Sequence, residues 1–210
     1  NIGYHFWETM NCHGEKRSKK ECYTYAAALL KQLRMPDPER ILKSYPFELS
    51  GGMNQRVGIA LAMVNNPQII LADEPTSALD VTVQMEVLKE MHDLREEFKT
   101  SIVLVTHSIG VVAQLCDTVG VMYAGRMVEW GTTEELLSRP YHPYTKALID
   151  AVPTEMGSDP VGINGMPPDF GAQVSGCPFA PRCPYESEEC EKAMPDQSYF
   201  GERRWVRCIH

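Results

Sequence analysis

The sequence predicts an α/β fold, a parallel sheet with flanking helices, preceded by a helical stretch and followed by a cysteine-rich extension. Two apolar runs predict the sheet. Ile69 to Ala72 leads into Asp73 and Glu74, and Ile102 to Val105 is β-branched and alternates little, so each reads as a fully buried parallel strand. Between them, Val83, Val87, Leu88, Met91, Leu94 and Phe98 mark the core-facing stripe of a long helix, Val81 to Phe98. The extension is predicted by four of the seven cysteines falling in the last 34 residues.

The first 48 residues read as helical. Ala26, Ala27, Ala28, Leu29 and Leu30 are good helix formers within Glu21 to Arg34; Pro36, Asp37 and Pro38 then interrupt, and Glu39 to Ser44 opens a short helix that stops before Pro46. Cys12 and Cys22 have no ligand-like spacing and read as plain thiols. The next helix, after Ser50, is apolar nearly all round through Val57, Ile59, Ala60, Leu61, Met63 and Val64, which predicts burial.

Chemistry enters at that helix's start. Ser50 stands where an N-cap belongs, and Gly51 and Gly52 let the backbone come close to a ligand, so free N–H groups and the positive end of the helix dipole make an anion site. Asp73 and Glu74 at the carboxyl end of a strand supply the complementary half: one carboxylate to hold Mg2+, its neighbour to orient a water. Either feature alone is commonplace, an ordinary helix start or a solvated turn. Together they point to nucleotide hydrolysis.

These residues carry a family resemblance. Leu49 to Arg56 resembles the signature motif of ATP-binding-cassette (ABC) ATPases, Ile69 to Glu74 their Walker B strand, Ser77 to Asp80 their D-loop, and His107 their switch histidine, all in the family's order within 60 residues. The resemblance implies that Asp73 holds Mg2+ through water, Glu74 polarises the attacking water and His107 contacts the γ-phosphate. Ser50, with the Gly51 and Gly52 amides, is implied to complete the ATP site of an opposite subunit, and Asp80 to face the nucleotide from the D-loop. Two departures stand out: Met53 replaces the usual glutamine of the signature, and Ser108 stands where many members carry aspartate.

None of the 15 glycines is followed by lysine, so a G-x-x-x-x-G-K-[ST] loop is absent from these 210 residues. The resemblance therefore implies an N-terminally truncated chain that starts just after the Q-loop and is inactive by itself. The expected organisation is a helical subdomain over 1–66, the second half of a RecA-like ATPase core over 67–153, a Gly- and Pro-rich linker over 154–176 and the cysteine-rich tail over 177–210. Within the core, Asp117 to Trp130 reads as a hairpin turning at Ala124-Gly125-Arg126, and Thr132 with Glu135 as a capping box. Cys116 reads as a buried thiol, and His92 as a surface or boundary residue.

His142 to Leu148, running on to Ala151-Val152-Pro153, resembles the segment that marks ATPases of oligopeptide, dipeptide and nickel importers; from its residues alone it is only a helix begun by a proline. Cys177, Cys183, Cys190 and Cys208 are spaced C-x5-C-x6-C-x17-C, with prolines between them. Four thiolates suit a [4Fe-4S] cluster or tetrahedral Zn2+, and free thiols are a third reading. Zinc sites favour tight C-x2-C pairs, which are missing here, and resemblance to the importer subfamily supports the cluster, in a structural role. Disulfides are disfavoured for an ATPase in the reducing cytosol.

Composition bounds the rest. With 43% hydrophobic and 23% charged residues the chain is ordinary for a globular protein, and no run reaches the roughly 18 apolar residues of a membrane span. A net charge of −8 argues against a broad nucleic-acid footprint, the run Lys16, Arg17, Lys19, Lys20 reading as a solvated turn. The implied partners are permease subunits and a second ATPase subunit, identical or not, at the inner face of the cell membrane. The rival classes are a metal-bearing interaction module without activity and an ABC ATPase outside transport.

Overall fold

The structure is a computed structural model, and it describes residues 1–12, 16–77, 79–152, 162–169, 171 and 174–210. It consists of two compact units, Asn1–His107 and Ser108–His210.

The first unit begins with three helices, α1 (Ile2–Asn11), α2 (Lys19–Gln32) and α3 (Pro38–Lys43). Asn1 caps α1 by accepting the Tyr4 N–H, and Ile2, Phe6 and Met10, spaced four apart, all face inward. Gly3 lets α2 approach, since a Cβ there would fall 2.4 Å from the Tyr23 ring. Ser18 and Glu21 form a reciprocal capping box, so α2 starts before the expected Glu21. Likewise, Asp37 in the left-handed region caps α3 and lets Pro38 open it. Phe6, Leu29, Leu30, Leu33, Ile41 and Leu42 fill the core that these helices share with α4 (Gly51–Met63).

The α/β part of this unit holds β1 (Ile69–Asp73), α5 (Val81–Phe98) and β2 (Ser101–Val105). The strands pair in parallel with Ile69 beside Ser101 and Asp73 beside Val105. Helix α5 spans the predicted residues and buries Val87, Leu88, Met91 and Leu94, while His92 is exposed.

Two burial expectations are corrected. The strands are covered on one face only: Ile69, Leu71, Val103 and Val105 are 60%, 79%, 51% and 57% exposed. The alternating partners Ile70, Ala72, Ile102 and Leu104 are half-buried, with Ile70 packed at the edge of the core. Parallel strands are buried on both faces only where helices cover both, and this two-stranded sheet has one covered side. Helix α4 similarly buries one stripe, Val57, Ala60 and Met63, and leaves Gly58 and Ala62 exposed.

The second unit contains α6 (Ile109–Leu115), β3 (Thr118–Tyr123), β4 (Arg126–Thr132), α7 (Thr133–Ser138), α8 (Pro143–Asp150), α9 (Glu188–Lys192), β5 (Ser198–Tyr199) and β6 (Trp205–Val206). The expected hairpin forms, turning through Ala124 and Gly125, both at positive φ. Thr132 caps α7 through the Glu135 N–H, and Cys116 is half-buried. Strand β6 adds to the hairpin, giving the antiparallel order β3-β4-β6-β5.

The cysteine-bearing tail shares a core with the hairpin, where Cys177, Phe179, Ala180 and Cys190 pack on Tyr123 and Val128. Of the expected linker, residues 162–169 carry no helix or strand, and Ile163 and Asn164 are held through their carbonyls by Arg182; 154–161, 170, 172 and 173 lie outside the described residues. No helix among the described residues is long and apolar enough to cross a membrane.

Candidate functional site

The site forms where β1 and β2 end. Past Asp73 the chain turns at Glu74, whose φ of 45° lies in the left-handed region and whose N–H donates to the Val105 carbonyl at 2.9 Å. A non-glycine residue there is strained, and the backbone bonds on either side hold it: the Ser77 N–H and hydroxyl both donate to the Glu74 carbonyl. The turn delivers the Glu74 carboxylate to His107, two residues past β2. Glu74 Oε1 accepts the His107 backbone N–H at 3.1 Å and lies 2.7 Å from the ring Nδ1. These two contacts fix the His107 ring to the Glu74 carboxylate through Nδ1. The His107 side chain is 80% exposed and that of Glu74 34%. Asp73, beside Val105 in register, is exposed at the same strand ends.

Ser50 sits at the start of α4, exposed, with its hydroxyl oxygen accepting the Met53 N–H. The Gly51 and Gly52 amides, in the first helical turn, have no intrahelical acceptor. Gly52 is a steric requirement: a Cβ there would fall 2.8 Å from Val83 Cγ1, on the first turn of α5. Asp80 caps α5, its Oδ1 accepting the Val83 N–H at 3.0 Å. Ala78, in the middle of the D-loop, lies outside the described residues. The structure thus joins Glu74 directly to His107 and sets the Ser50–Gly52 turn beside the beginning of α5, on different element ends.

Elsewhere in this unit, α2 and α3 border a groove of about 1020 Å3 whose lining includes Ala27, Ala28 and Leu42, with Lys19, Lys20, Lys31 and Lys43 around it.

In the second unit, all seven cysteines of the chain being free thiols, those of the tail lie near enough for their neighbours to help raise the pKa of Cys177, Cys183 and Cys208. Burial is the larger cause and pushes the Cys177, Cys183 and Cys208 thiols up, while backbone N–H groups of Phe179, Tyr185 and His210 respectively pull them back. Gly176 allows this packing: the Cys177 N–H donates to the Cys190 carbonyl at 2.7 Å, and a Cβ on Gly176 would fall 2.1 Å from that oxygen. Among the described residues no three His, Cys, Asp or Glu side chains converge closely enough to hold a single metal ion.

Two charged constellations escaped the sequence reading. In the first unit, Arg56 bridges Glu86 and Glu90 of α5. In the second, Glu129 of β4 is fully buried and accepts the backbone N–H groups of Tyr141 and His142, each at 2.9 Å. Arg204 closes the arrangement: it lies 3.4 Å from Glu129, donates to the Glu135 and Arg139 carbonyls and stacks 4.0 Å from the Tyr141 ring centroid. His142 is buried, caps α8 through Nδ1, and has its pKa lowered by burial to about 4. A glutamate inside a strand run and an arginine in the tail were the available signals, and nothing in their spacing links residues 75 positions apart.

A parallel strand pair ending in acids answered by a histidine, with a Ser-Gly-Gly helix start in the same unit, defines a segment of an ATP-binding cassette. Residues 3–77 match the ABC transporter family. Residues 128–190 match the C-terminal region of oligopeptide/dipeptide transporters. The chain is 41% identical to the dipeptide transport ATP-binding protein DppD of Bacillus subtilis (strain 168) over 209 residues, 99% of this chain and 62% of that protein. It is 42% identical to the oligopeptide transport ATP-binding protein OppD of Salmonella typhimurium (strain LT2) over 200 residues, 94% of this chain and 59% of that protein. The chain therefore spans about six tenths of the length of the curated relatives it matches. Among solved structures it is similar to the ATP-binding cassette MJ0796, in a dimeric post-hydrolysis state bound to ADP and Pi, with TM-score 0.54 and 30% identity over 63% of this chain and 56% of that one.

Proposed function

We propose that the protein is the ATP-hydrolysing subunit of an importer of peptides, working as a dimer of ATPase subunits beneath a membrane permease. The observation that carries this reading is the 2.7 Å approach of Glu74 to His107 at the ends of two parallel strands. In a closed dimer Glu74 accepts the proton of the attacking water, and His107, held by Glu74 through its backbone N–H and ring Nδ1, contacts the γ-phosphate. Asp73 would hold Mg2+, and the metal would supply charge neutralisation on the phosphates. Ser50 with the Gly51 and Gly52 amides stabilises developing charge on the nucleotide of the opposite subunit, and Asp80 lines the interface between the two. The relatives named for dipeptides and oligopeptides favour peptide cargo over nickel. The Lys-rimmed groove between α2 and α3 is the surface we assign to the permease, and the subunit is peripheral at the cytoplasmic face.

Glu74→Gln in the assembled importer tests the assignment. ATP turnover falls about 10²- to 10⁴-fold, the usual contribution of a positioned general base, with ATP binding retained. Turnover within threefold of wild type refutes it. The 210 residues alone, lacking a G-x-x-x-x-G-K-[ST] loop, are expected to show no measurable hydrolysis.

For the tail, four free thiols, Cys183 among them accepting the Tyr185 N–H at 3.4 Å, support a [4Fe-4S] cluster with Cys177, Cys183, Cys190 and Cys208 as ligands. The cluster's role is to pin the tail. Iron and acid-labile sulfide assayed on anaerobically purified protein decide the matter: about four of each per chain is expected, and zinc alone, or neither, overturns the proposal.

A further inference from the structure

Helices α4 and α5 start side by side. A Cβ on Gly52 would meet Val83 Cγ1 at 2.8 Å, and one on Gly51 would come within 4.0 Å of Leu79 Cδ2. One turn further along α4, Arg56 reaches across to α5, with Nε 2.8 Å from Glu90 Oε2 and Nη2 3.0 Å from Glu86 Oε2. Glu86 and Glu90 stand four residues apart on one helix face, where like charges repel, and Glu90 is only 5% exposed. The guanidinium relieves both problems with two separately directed donors, which a lysine ammonium cannot offer from one rigid plane.

The apolar contacts of these helices with the unit's core run from Met53, beside the site, through Val57, Ala60 and Met63 of α4, with Leu94 from α5. Near the catalytic end, the glycine contacts and the Arg56 fork tie the two helices together. A buried ion pair contributes little net stability but can specify a register. We infer that Arg56 is a positioning residue for ATP turnover: it locks the Ser50–Gly52 turn to the Asp80-capped start of α5, so that both advance on the opposite subunit's nucleotide as one wall. The inference rests on the function proposed above.

ATP turnover of the assembled importer tests it with four variants. Ser50→Ala probes the wall itself. Arg56→Lys keeps the charge and loses the fork, and is expected to lower kcat about tenfold while KM for ATP stays within about twofold. Glu90→Gln still accepts a hydrogen bond from Arg56 and is expected to keep at least about half of kcat. Leu30→Ala, a core cavity away from the wall, is expected to lower the melting temperature at least as much as Arg56→Lys with kcat unchanged. Wild-type kcat in Arg56→Lys, or an equal kcat loss in Leu30→Ala, overturns the inference. If Ser50→Ala leaves turnover intact, the function reading has failed; if Ser50→Ala loses turnover and Arg56→Lys does not, only the positioning role has. Should Arg56→Lys fail to assemble, hydrogen exchange on the 210-residue chain decides: the variant speeds exchange at Asn54–Arg56 and Gln84–Glu86 together, and unchanged exchange at either stretch overturns the inference.

Discussion

Removing Arg204 should cost the second unit more than any surface substitution. Arg204→Ala deletes the countercharge of the fully buried Glu129, two hydrogen bonds to the Glu135 and Arg139 carbonyls, and a guanidinium stacked 4.0 Å from the Tyr141 ring centroid. Glu129 keeps its two backbone donors, Tyr141 and His142, so its carboxylate is partly solvated by the protein but no longer balanced in charge. Breaking one side of a buried pair costs about 3–5 kcal/mol. For a chain of this size that corresponds to roughly 6–20 °C in melting temperature. Trp130 and Trp205, paired across β4 and β6, report the unfolding of this unit by fluorescence in urea. The double variant Glu129→Gln with Arg204→Met removes both charges and should cost clearly less than Arg204→Ala. A loss below about 1 kcal/mol for Arg204→Ala, or a double variant worse than the single one, refutes the account of Arg204 as the countercharge that secures the tail.

Three further outcomes are expected. His142 binds its proton less readily folded, with a pKa of about 4, than unfolded, near 6.5, so its contribution is present above pH 6.5 and is lost as pH falls toward 4. Unfolding free energies from urea titrations at pH 7.5 and 4.5 should differ by up to roughly 3 kcal/mol from this group, and His142→Asn, which puts a capping oxygen in place of Nδ1, should flatten that slope. Leu71→Ala, at a position 79% exposed, should change the stability of this chain by less than about 0.5 kcal/mol, whereas Leu30→Ala should cost about 2–5 kcal/mol; equal losses in calorimetry would contradict the one-sided sheet. Gly176→Ala places a methyl group 2.1 Å from the Cys190 carbonyl and should abolish the Cys177 to Cys190 backbone bond, seen as faster exchange of the Cys177 amide; unchanged exchange would rule out the close approach.

The amino-acid sequence determined by itself whatever depends on neighbours in the chain. Ser50 caps α4 because a hydroxyl beside two glycines serves the next turn's amides, and the apolar stripe of α5 declares that helix from Val81 to Phe98. The carboxylates after β1 and the histidine after β2 could be assigned to one edge because parallel neighbours end together. Burial of the strands was misread, since a run of aliphatics looks the same whether one face or both are covered. Only the tertiary structure could decide that, along with Arg56 reaching Glu90 across 34 positions and Arg204 reaching Glu129 across 75. A charged side chain carries no periodic signal of its partner, and its choice is set by which helix or strand the fold brings within about 3 Å of its donors.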